Sequence, residues 1–151
     1  MAQTPQVIEL LTDTNGSFIH DEAITASGSA VVPGDLVELT AAGEVQEHST
    51  ADGGTQKAFA LTNLPVAGTV DDAYAVGETC RFGYAHSGQI VYATLAASQT
   101  ATRLTPLVSN GDGTLKIATL SATTLATAIV GYPVEPVTTT GATARIKVRI
   151  A

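Results

Sequence analysis

Short segments in which hydrophobic and polar residues alternate, separated by turn-forming residues, make up most of the chain. SAVVPGDLVELTAAGEVQE contains a Pro33-Gly34 turn, a strand over 36–39, a turn over 41–43 and a strand that begins at Val45. Short alternating segments between turns are typical of β-hairpins. The same pattern predicts the other strands of the first half at 57–64, 74–85 and 89–95, with loops at 49–55 and 65–73.

The second half of the chain repeats this order of turns and strands. LTPLVSNGDGTLKIA, at 104–118, has the outline of GDLVELTAAGEVQ at an offset of about 70 residues. Its Asn-Gly and Asp-Gly dipeptides favour a hairpin turn because they adopt positive φ easily. TTLATAIVGYPVEP, at 123–136, follows TQKAFALTNLPV at nearly the same offset. These correspondences indicate an internal duplication that forms a compact all-β domain, either a barrel or a sandwich.

A third correspondence is the phrase Gly-x-Thr-x-Arg-apolar-x-apolar, which occurs twice. It stands in VGETCRFGYA and again in TTTGATARIKVRI, at an offset of 64 residues, so that Phe82 is matched to Ile146. In the last strand, apolar residues alternate with basic ones, namely Ala144, Ile146, Val148 and Ile150 with Arg145, Lys147 and Arg149. A period of two with one apolar face predicts a half-buried strand. Cys80 falls on the apolar face of the first copy, which predicts a buried structural cysteine.

The domain is predicted to follow an extended N-terminal arm. Residues 1–20 form the arm and residues 21–151 the β domain, whose halves lie approximately at 24–95 and 101–151. The arm carries the apolar residues Val7, Ile8, Leu10 and Leu11, which predict docking on its own domain or on a neighbour. The stretch 118–131 fits either a short helix or extended structure, so we expect at most one or two short helices.

Composition limits the partners that the chain can have. The sequence of 151 residues is 44% hydrophobic but only 14% charged, with a net charge of −7, which argues against nucleic acid as a partner. Twelve of the fourteen acidic residues precede Phe82, whereas Arg145, Lys147 and Arg149 crowd the end of the chain. The acidic and basic parts could pair within the fold or between subunits, or the basic residues could form a solvated strand face.

Targeting signals are not expected. Cys80 is the only cysteine, so no internal disulfide can form. The segment MAQTPQVIELL has no basic region followed by a long apolar run, so no signal peptide is predicted. No apolar stretch approaches the length that spans a membrane, so the chain is expected to be made in a cytoplasm and to have no membrane partner.

Candidate chemistry is sparse along the sequence. The histidines His20, His48 and His86 lie beside turn residues at spacings that predict no metal site. EHSTADGG places Glu47, His48, Ser49 and Asp52 close together, but a catalytic triad is defined by convergence in space rather than by local crowding. SNGDGT is a fragment of a calcium-type loop and fits a hairpin turn better. We therefore predict no catalytic residue, no metal site and no cofactor.

The run VVPGDLVELTAAGEVQ, followed by KAFALTNLPV and AVGETCRFGYAHSGQIVYA, resembles the small capsid decoration proteins of tailed bacteriophages. The shared pattern is Gly-Asp-apolar, a strand of the Phe-Ala-Leu kind, and Gly-Glu-x-apolar followed by a glycine. The resemblance covers about residues 24–151. In the second half, Pro106 precedes Leu107 in place of the Gly-Asp pair.

The resemblance implies a cement protein without enzyme activity or cofactor. Such proteins bind the outer surface of the capsid, commonly as trimers at three-fold or quasi-three-fold positions, where they hold neighbouring major capsid proteins together. It implies a virion protein made in the host cytoplasm, whose partners are the major capsid protein and two further copies of itself. The candidate capsid or intersubunit contacts are Val7, Ile8, Leu10, Leu11, Arg145, Lys147 and Arg149.

Two other functions remain open from the sequence. A receptor-facing β module of a phage tail or fibre would use the same scaffold and bind through the loops at 49–55 and 65–73. A small β-barrel enzyme lacks any residue constellation in its favour, although carboxylate chemistry stays open.

Overall fold

Residues 8–11, 19–28, 30–119 and 126–151 are described by the computed structural model, and they are built almost entirely of β-strands. The predicted all-β class is confirmed. The described residues contain no α-helix, and two short 3-10 turns lie at Leu64–Val66 and Ala126–Ala128. The second turn falls in the stretch predicted as helical or extended, whereas residues 120–125 of that stretch lie outside the described residues.

The strands follow one another in the order that the alternating pattern predicts, with several additions. They are β1 (Glu9–Leu11), β2 (Ile19–Ile24), β3 (Leu36–Leu39), β4 (Val45–Glu47), β5 (Ala58–Ala60), β6 (Thr79–Tyr84), β7 (Ile90–Leu95), β8 (Thr100–Ala101), β9 (Leu107–Ser109), β10 (Leu115–Ile117), β11 (Gly131–Pro133), β12 (Val137–Thr138) and β13 (Ala144–Ile150). β2 begins within the stretch predicted as the arm.

The first five-stranded sheet has the order β2-β6-β5-β3-β4 and closes into a barrel. Its neighbouring strands are antiparallel throughout. A parallel bridge between Thr25, just after β2, and Val45 in β4 joins the two ends of the sheet. The Ala26 N–H donates a hydrogen bond of 2.8 Å to the Val45 carbonyl at the same point. Closure leaves few unpaired backbone groups at the ends of the sheet.

The second sheet closes in the same way, in the order β7-β13-β11-β9-β10. Its ends are joined by a parallel pairing between Leu95 and Leu115. The Ala96 N–H donates a hydrogen bond of 2.8 Å to the Leu115 carbonyl. β1 is added to the outside of this barrel by antiparallel pairing with β7.

The two barrels are copies of one another in strand order and register. Thr25 and Val45 correspond to Leu95 and Leu115, at an offset of 70 positions in both cases. The internal duplication is therefore present in the fold. β7 pairs with β13, so the boundary between the two copies falls between β6 and β7. Residues 90–95 therefore belong to the second copy, whereas the sequence pattern had placed them in the first half, 24–95.

Pairing also corrects the match between the two copies of the repeated phrase. Cys80 pairs with Ala23, and Ile146 pairs with Ala93, which is the counterpart of Ala23. Cys80 is thus equivalent to Ile146 at an offset of 66, whereas the sequence pattern matched Phe82 to Ile146. A two-residue shift keeps every side chain on the same face of a strand, so the predicted inward and outward faces are unaffected.

Two equivalent tight turns precede β3 and β9; we name them the Gly34 loop (residues 32–35) and the Leu104 loop (residues 102–105). The Asp35 N–H bonds the Val32 carbonyl at 3.0 Å, and the Thr105 N–H bonds the Thr102 carbonyl at 3.0 Å. In both loops the last side chain accepts a hydrogen bond from the first N–H. Leu104-Thr105 therefore stands in place of the Gly-Asp pair, although the sequence pattern had placed Pro106 there.

One hydrophobic cluster fills the first barrel, and a second cluster joins the two barrels. The first contains Val31, Val37, Val45, Ala58, Ala60, Tyr74, Cys80 and Phe82. Cys80 is fully buried as predicted, and burial raises the pKa of its thiol to about 12, so the thiol stays protonated at neutral pH. Leu36 and Phe59, on the outer face of the first barrel, pack into the cluster that fills the second barrel. Separating the barrels would expose these side chains to water, at a cost of about 2–3 kcal/mol each.

Candidate functional site

The Gly34 loop is the main bridge between the barrels. The Gly34 N–H donates to the Ala60 carbonyl of the first barrel (2.9 Å), and its carbonyl accepts from the Thr94 N–H of β7 (3.1 Å). Gly34 has a φ of +97°, and a Cβ there would lie 3.1 Å from the Tyr92 carbonyl oxygen. Only glycine combines this backbone conformation with such a close approach.

Arg145, in β13 of the second barrel, stabilises the same bridge. Its Nε donates to the Pro33 carbonyl at 3.0 Å, one Nη contacts the Asp71 carboxylate at 2.6 Å, and the other Nη donates to the Val70 carbonyl. The sequence left it open whether the acidic and basic parts of the chain meet within the fold. Arg145 and Asp71 do so, and the capsid or intersubunit contact of Arg145 stays a prediction.

Asp35 lies at the base of a cleft of about 440 Å³ between the Gly34 loop and β13. The side chain is 4% exposed, and its Oδ2 accepts a hydrogen bond from the Val32 N–H at 2.8 Å. Burial raises the pKa of Asp35 to about 6, and the nearby Glu47 carboxylate adds to the rise, against the lowering effects of Val32, Thr94 and Arg145. The cleft therefore holds one carboxyl that changes charge in mildly acidic solution, next to a guanidinium whose three contacts are structural.

His48 forms a second polar link between the barrels. Its Nδ1 lies 2.8 Å from the Ser109 hydroxyl of β9, and its Nε2 lies 3.1 Å from the Gly54 carbonyl. Because a carbonyl only accepts, Nε2 donates to Gly54, and in the neutral imidazole Nδ1 then accepts a hydrogen bond from the Ser109 hydroxyl. Ser109 Oγ in turn accepts from the Gly111 N–H at 3.1 Å. Ser109 is completely buried and His48 is 3% exposed, so a substrate would not reach this hydroxyl.

Two of the residues crowded in EHSTADGG share a contact outside that segment. Ser49 Oγ donates to Glu38 at 2.6 Å, and His48 Nε2 lies 3.6 Å from the same carboxylate. Asp52 pairs with Lys116 at 2.9 Å, and His48 also contacts Ser109, which is 61 positions away. The His48–Ser109 and Asp35–Arg145 groups were missed by the sequence analysis, because no local pattern pairs residues of the two copies. The offset of 70 positions could have indicated which strands meet, but not which side chains.

The apolar residues predicted to form an arm are largely attached to their own domain. Ile8 is 1% exposed within the cluster of the second barrel, and its carbonyl accepts from the Tyr92 N–H at 2.8 Å. Leu10 and Leu11 lie in β1, which pairs with β7. Val7 lies outside the described residues. Ile8 therefore docks on its own domain, one of the two alternatives that the sequence left open, and its capsid or intersubunit contact stays a prediction.

The other two predicted basic contacts lie along β13. The Lys147 ammonium lies 6.0 Å from the centre of the Tyr92 ring, within the range of a cation–π contact. Arg149 is exposed, and no described residue forms an ion pair or hydrogen bond with its side chain. Arg149 is therefore the member of the basic triplet that a partner could reach most easily.

An open groove of about 330 Å³ lies on the outside of the first barrel, and we name it the β2–β6 groove. It is lined by Glu22, Asn63, Pro65, Val66, Glu78, Thr79 and Arg81. Val66 in this lining is 70% exposed, and Leu104, on the other barrel, is 86% exposed. Exposed apolar side chains indicate a contact surface where several lie together, as Pro65 and Val66 do in this groove.

No protein-family model matches the sequence, and no curated protein matches it either. Within the described ranges, no group of three or more His, Cys, Asp or Glu side chains could hold a metal ion. Among the same residues, no helix has the length and apolar character needed to cross a bilayer.

Replacing Asp35 by asparagine is expected to flatten the pH dependence of stability. The pKa of Asp35 is about 6 in the folded protein, compared with 3.8 for an aspartate exposed to water. The folded state therefore binds the proton of this carboxyl more tightly than the unfolded state does. The carboxyl therefore favours the fold below about pH 4, and that contribution is lost as pH rises to about 6, amounting to roughly 2–3 kcal/mol. Asparagine keeps an acceptor for the Val32 N–H, so Asp35→Asn should be the more stable protein at pH 7.

The measurement is urea unfolding followed by circular dichroism between pH 4 and pH 7. Asp52→Asn is the control, since Asp52 is exposed. A stability difference between Asp35→Asn and wild type that stays constant over this range would contradict the assignment.

Proposed function

We propose that the chain is a structural virion protein that binds the outer surface of a phage capsid and stabilises the head, assembled as a trimer. The observation that carries the proposal is the exposure of large apolar side chains on a closed, rigid scaffold. Leu104, Val66, Leu64 and Ile19 are 86%, 70%, 59% and 58% exposed. Apolar residues held on rigid elements lose little conformational entropy when a partner covers them.

The polar groups of the interior support a binding role over catalysis. His48 and Arg145 make hydrogen bonds between the two barrels, and Asp35 accepts one within the Gly34 loop that bridges them. Such contacts hold the relative position of the barrels and so keep two outer surfaces at a fixed separation. A protein with two fixed surfaces can contact two neighbouring capsid subunits at once.

Multivalency supplies the mechanism of stabilisation. Each copy would add modest contacts, and a trimer repeats them three times around one axis. When several weak contacts are tied together, opening one leaves its partners at a high effective concentration, so the lattice resists separation. Stabilisation of the head then requires no single strong interface.

Immunogold electron microscopy of particles from the source lysate tests the proposal. An antibody to this chain should label heads evenly. Label at the tail would instead favour a receptor-facing module, and particles without label would refute both functions.

A binding assay with heads that lack the chain extends the test to the exposed surface. Leu64→Asp should lower the number of copies bound per head, because it places a charge in an apolar contact. Ala42→Asp, in the exposed turn between β3 and β4, adds the same charge elsewhere and should bind like wild type. Equal binding of the two variants would exclude Leu64 from the contact.

A further inference from the structure

The two barrels contact each other through different surfaces. Around the bridge, the first barrel contributes the Gly34 loop and the second contributes β7 and β13, while Leu36, Phe59 and the His48–Ser109 pair add contacts elsewhere. The Gly34 carbonyl accepts from the Thr94 N–H, and the Pro33 carbonyl accepts from Arg145. A contact between two unlike surfaces is head to tail, in contrast to a two-fold contact in which both partners use the same surface.

Because the chain is duplicated, it carries each of these surfaces twice. The counterpart of the Gly34 loop is the Leu104 loop. The counterparts of Tyr92, Thr94 and Arg145 are Glu22, Ile24 and Thr79, which lie on β2 and β6. Glu22 and Thr79 line the β2–β6 groove. The groove therefore occupies the place on the first barrel that the Gly34 loop covers on the second.

Neither second surface is used among the described residues. Leu104 is 86% exposed, the highest value among the large apolar side chains of these residues. Successive N–H groups of a strand point in opposite directions. The Thr25 N–H points toward β6, where it donates to Glu78, so the Ile24 N–H points away from β6, as the Thr94 N–H points away from β13. No described residue accepts from the Ile24 N–H, whereas the Thr94 N–H is bound by Gly34.

We propose that the Leu104 loop of one copy of the chain occupies the β2–β6 groove of a second copy. The contact would repeat, between chains, the one that the Gly34 loop makes within the chain. In the contact between chains, Thr79 would take the place of Arg145, and Leu104 would take the place of Gly34. Threonine is smaller than arginine, so it leaves space for the larger Leu104 side chain. Pro65 and Val66 give the groove an apolar wall for that side chain.

Charge supports the same pairing of surfaces. Arg103 holds the position of Pro33 in the Leu104 loop, and the lining of the groove includes Glu22 and Glu78. Docking would bring this exposed arginine to two carboxylates. The two loops differ at the residue closest to the surface that each contacts. Gly34 has a φ of +97°, whereas Leu104 is not among the residues with positive φ. The Leu104 loop can therefore carry a side chain into the contact.

A head-to-tail contact has a consequence for assembly. Each copy has one Leu104 loop and one groove, so association continues until a ring closes. Three copies would form a ring of six barrels in which contacts within and between chains alternate. The contact between copies forms in the purified chain without a capsid partner, so labelling of heads and association of the purified chain can fail independently.

Disulfide crosslinking tests the contact directly. The variant Ile24→Cys/Leu104→Cys places cysteines at the counterparts of Thr94 and Gly34, which lie in contact within the chain. The native Cys80 should not interfere with crosslinking, because its thiol is buried and protonated. Mild oxidation should give covalent products of at least three copies on a non-reducing gel. An equimolar mixture of the two single variants should give only dimers that contain one of each. Single variants that crosslink with themselves as efficiently, or a mixture that does not crosslink, would overturn the proposal.

Sedimentation provides a second measurement without added cysteines. Leu104→Asp should shift the wild-type oligomer to the mass of one chain while its circular dichroism spectrum is unchanged, because the side chain is exposed in the monomer. Ala42→Asp should keep the wild-type mass. A wild-type chain that is monomeric at the highest concentration, or a Leu104→Asp variant that retains the oligomer, would also overturn the proposal.

Discussion

We expect Gly131→Ala to lower the free energy of unfolding by about 3–4 kcal/mol, because no space exists for one additional methyl group. Gly131 begins β11 and lies opposite Ile150 in β13. A Cβ at this position would overlap the Arg149 carbonyl oxygen and lie 2.9 Å from Val148 Cγ1. The overlap with a backbone atom is relieved only if β11 and β13 move apart, which weakens their hydrogen bonds and the closure of the barrel.

The duplication sharpens this prediction. The counterpart of Gly131 in the first barrel is Ala58, which is buried and has a Cβ. The position as such therefore accepts alanine, and the restriction arises from the close approach of β13 in the second barrel. Gly141→Ala is the matched control, because a Cβ on Gly141 would meet no atom within 4 Å.

Urea unfolding of both variants, followed by circular dichroism, measures the difference. Gly141→Ala should stay within about 0.5 kcal/mol of wild type, as substitutions in open surroundings usually do. A Gly131→Ala variant as stable as Gly141→Ala would mean that the backbone of β11 can shift at little cost.

The strands that the sequence predicted best are those with one buried face. In β13, Ile146, Val148 and Ile150 are buried as the alternating pattern requires. The sequence pattern assigned the start of β2 to the arm, because IHDEAI shows no regular alternation of apolar and polar residues. In the structure its side chains are almost all exposed. Its place in the barrel depends on pairing with β6, a strand far along the chain, and local periodicity contains no such information.

The contacts of the candidate site were not predictable from local patterns. Arg145 reaches the Pro33 carbonyl over 112 positions of sequence. Alternation correctly placed Arg145 on the outer face of its strand. The Gly34 loop covers part of the outer face, so the outward-facing Arg145 is half-buried. Asp35 lies between the predicted Pro33-Gly34 turn and the predicted strand over 36–39, and no local pattern predicts that its carboxyl is buried.

Replacing Arg145 by leucine is expected to lower the free energy of unfolding by about 3–4 kcal/mol, since hydrogen bonds from a charged donor contribute more than neutral ones. The change leaves the Pro33 and Val70 carbonyls without their donor and removes the partner of Asp71. Loss of the guanidinium should also raise the pKa of Asp35 further, because Arg145 is one of the groups that lower it. The pH range over which stability falls should therefore move upward.

Arg145→Lys separates charge from geometry. Lysine keeps the positive charge, but a single ammonium does not reproduce the planar arrangement of donors that contacts three groups. Its stability should lie between those of wild type and Arg145→Leu, whereas the pH dependence assigned to Asp35 should stay close to that of wild type.

Arg149→Leu is the control for Arg145→Leu, because it removes the same charge from the same strand at an exposed side chain. It should change the free energy of unfolding by less than about 0.5 kcal/mol. If Arg145 acted mainly between subunits, Arg145→Leu would shift the oligomer mass at unchanged monomer stability. A fall in stability that persists at protein concentrations where only monomer is present would instead place the contribution of Arg145 between the two barrels of one chain.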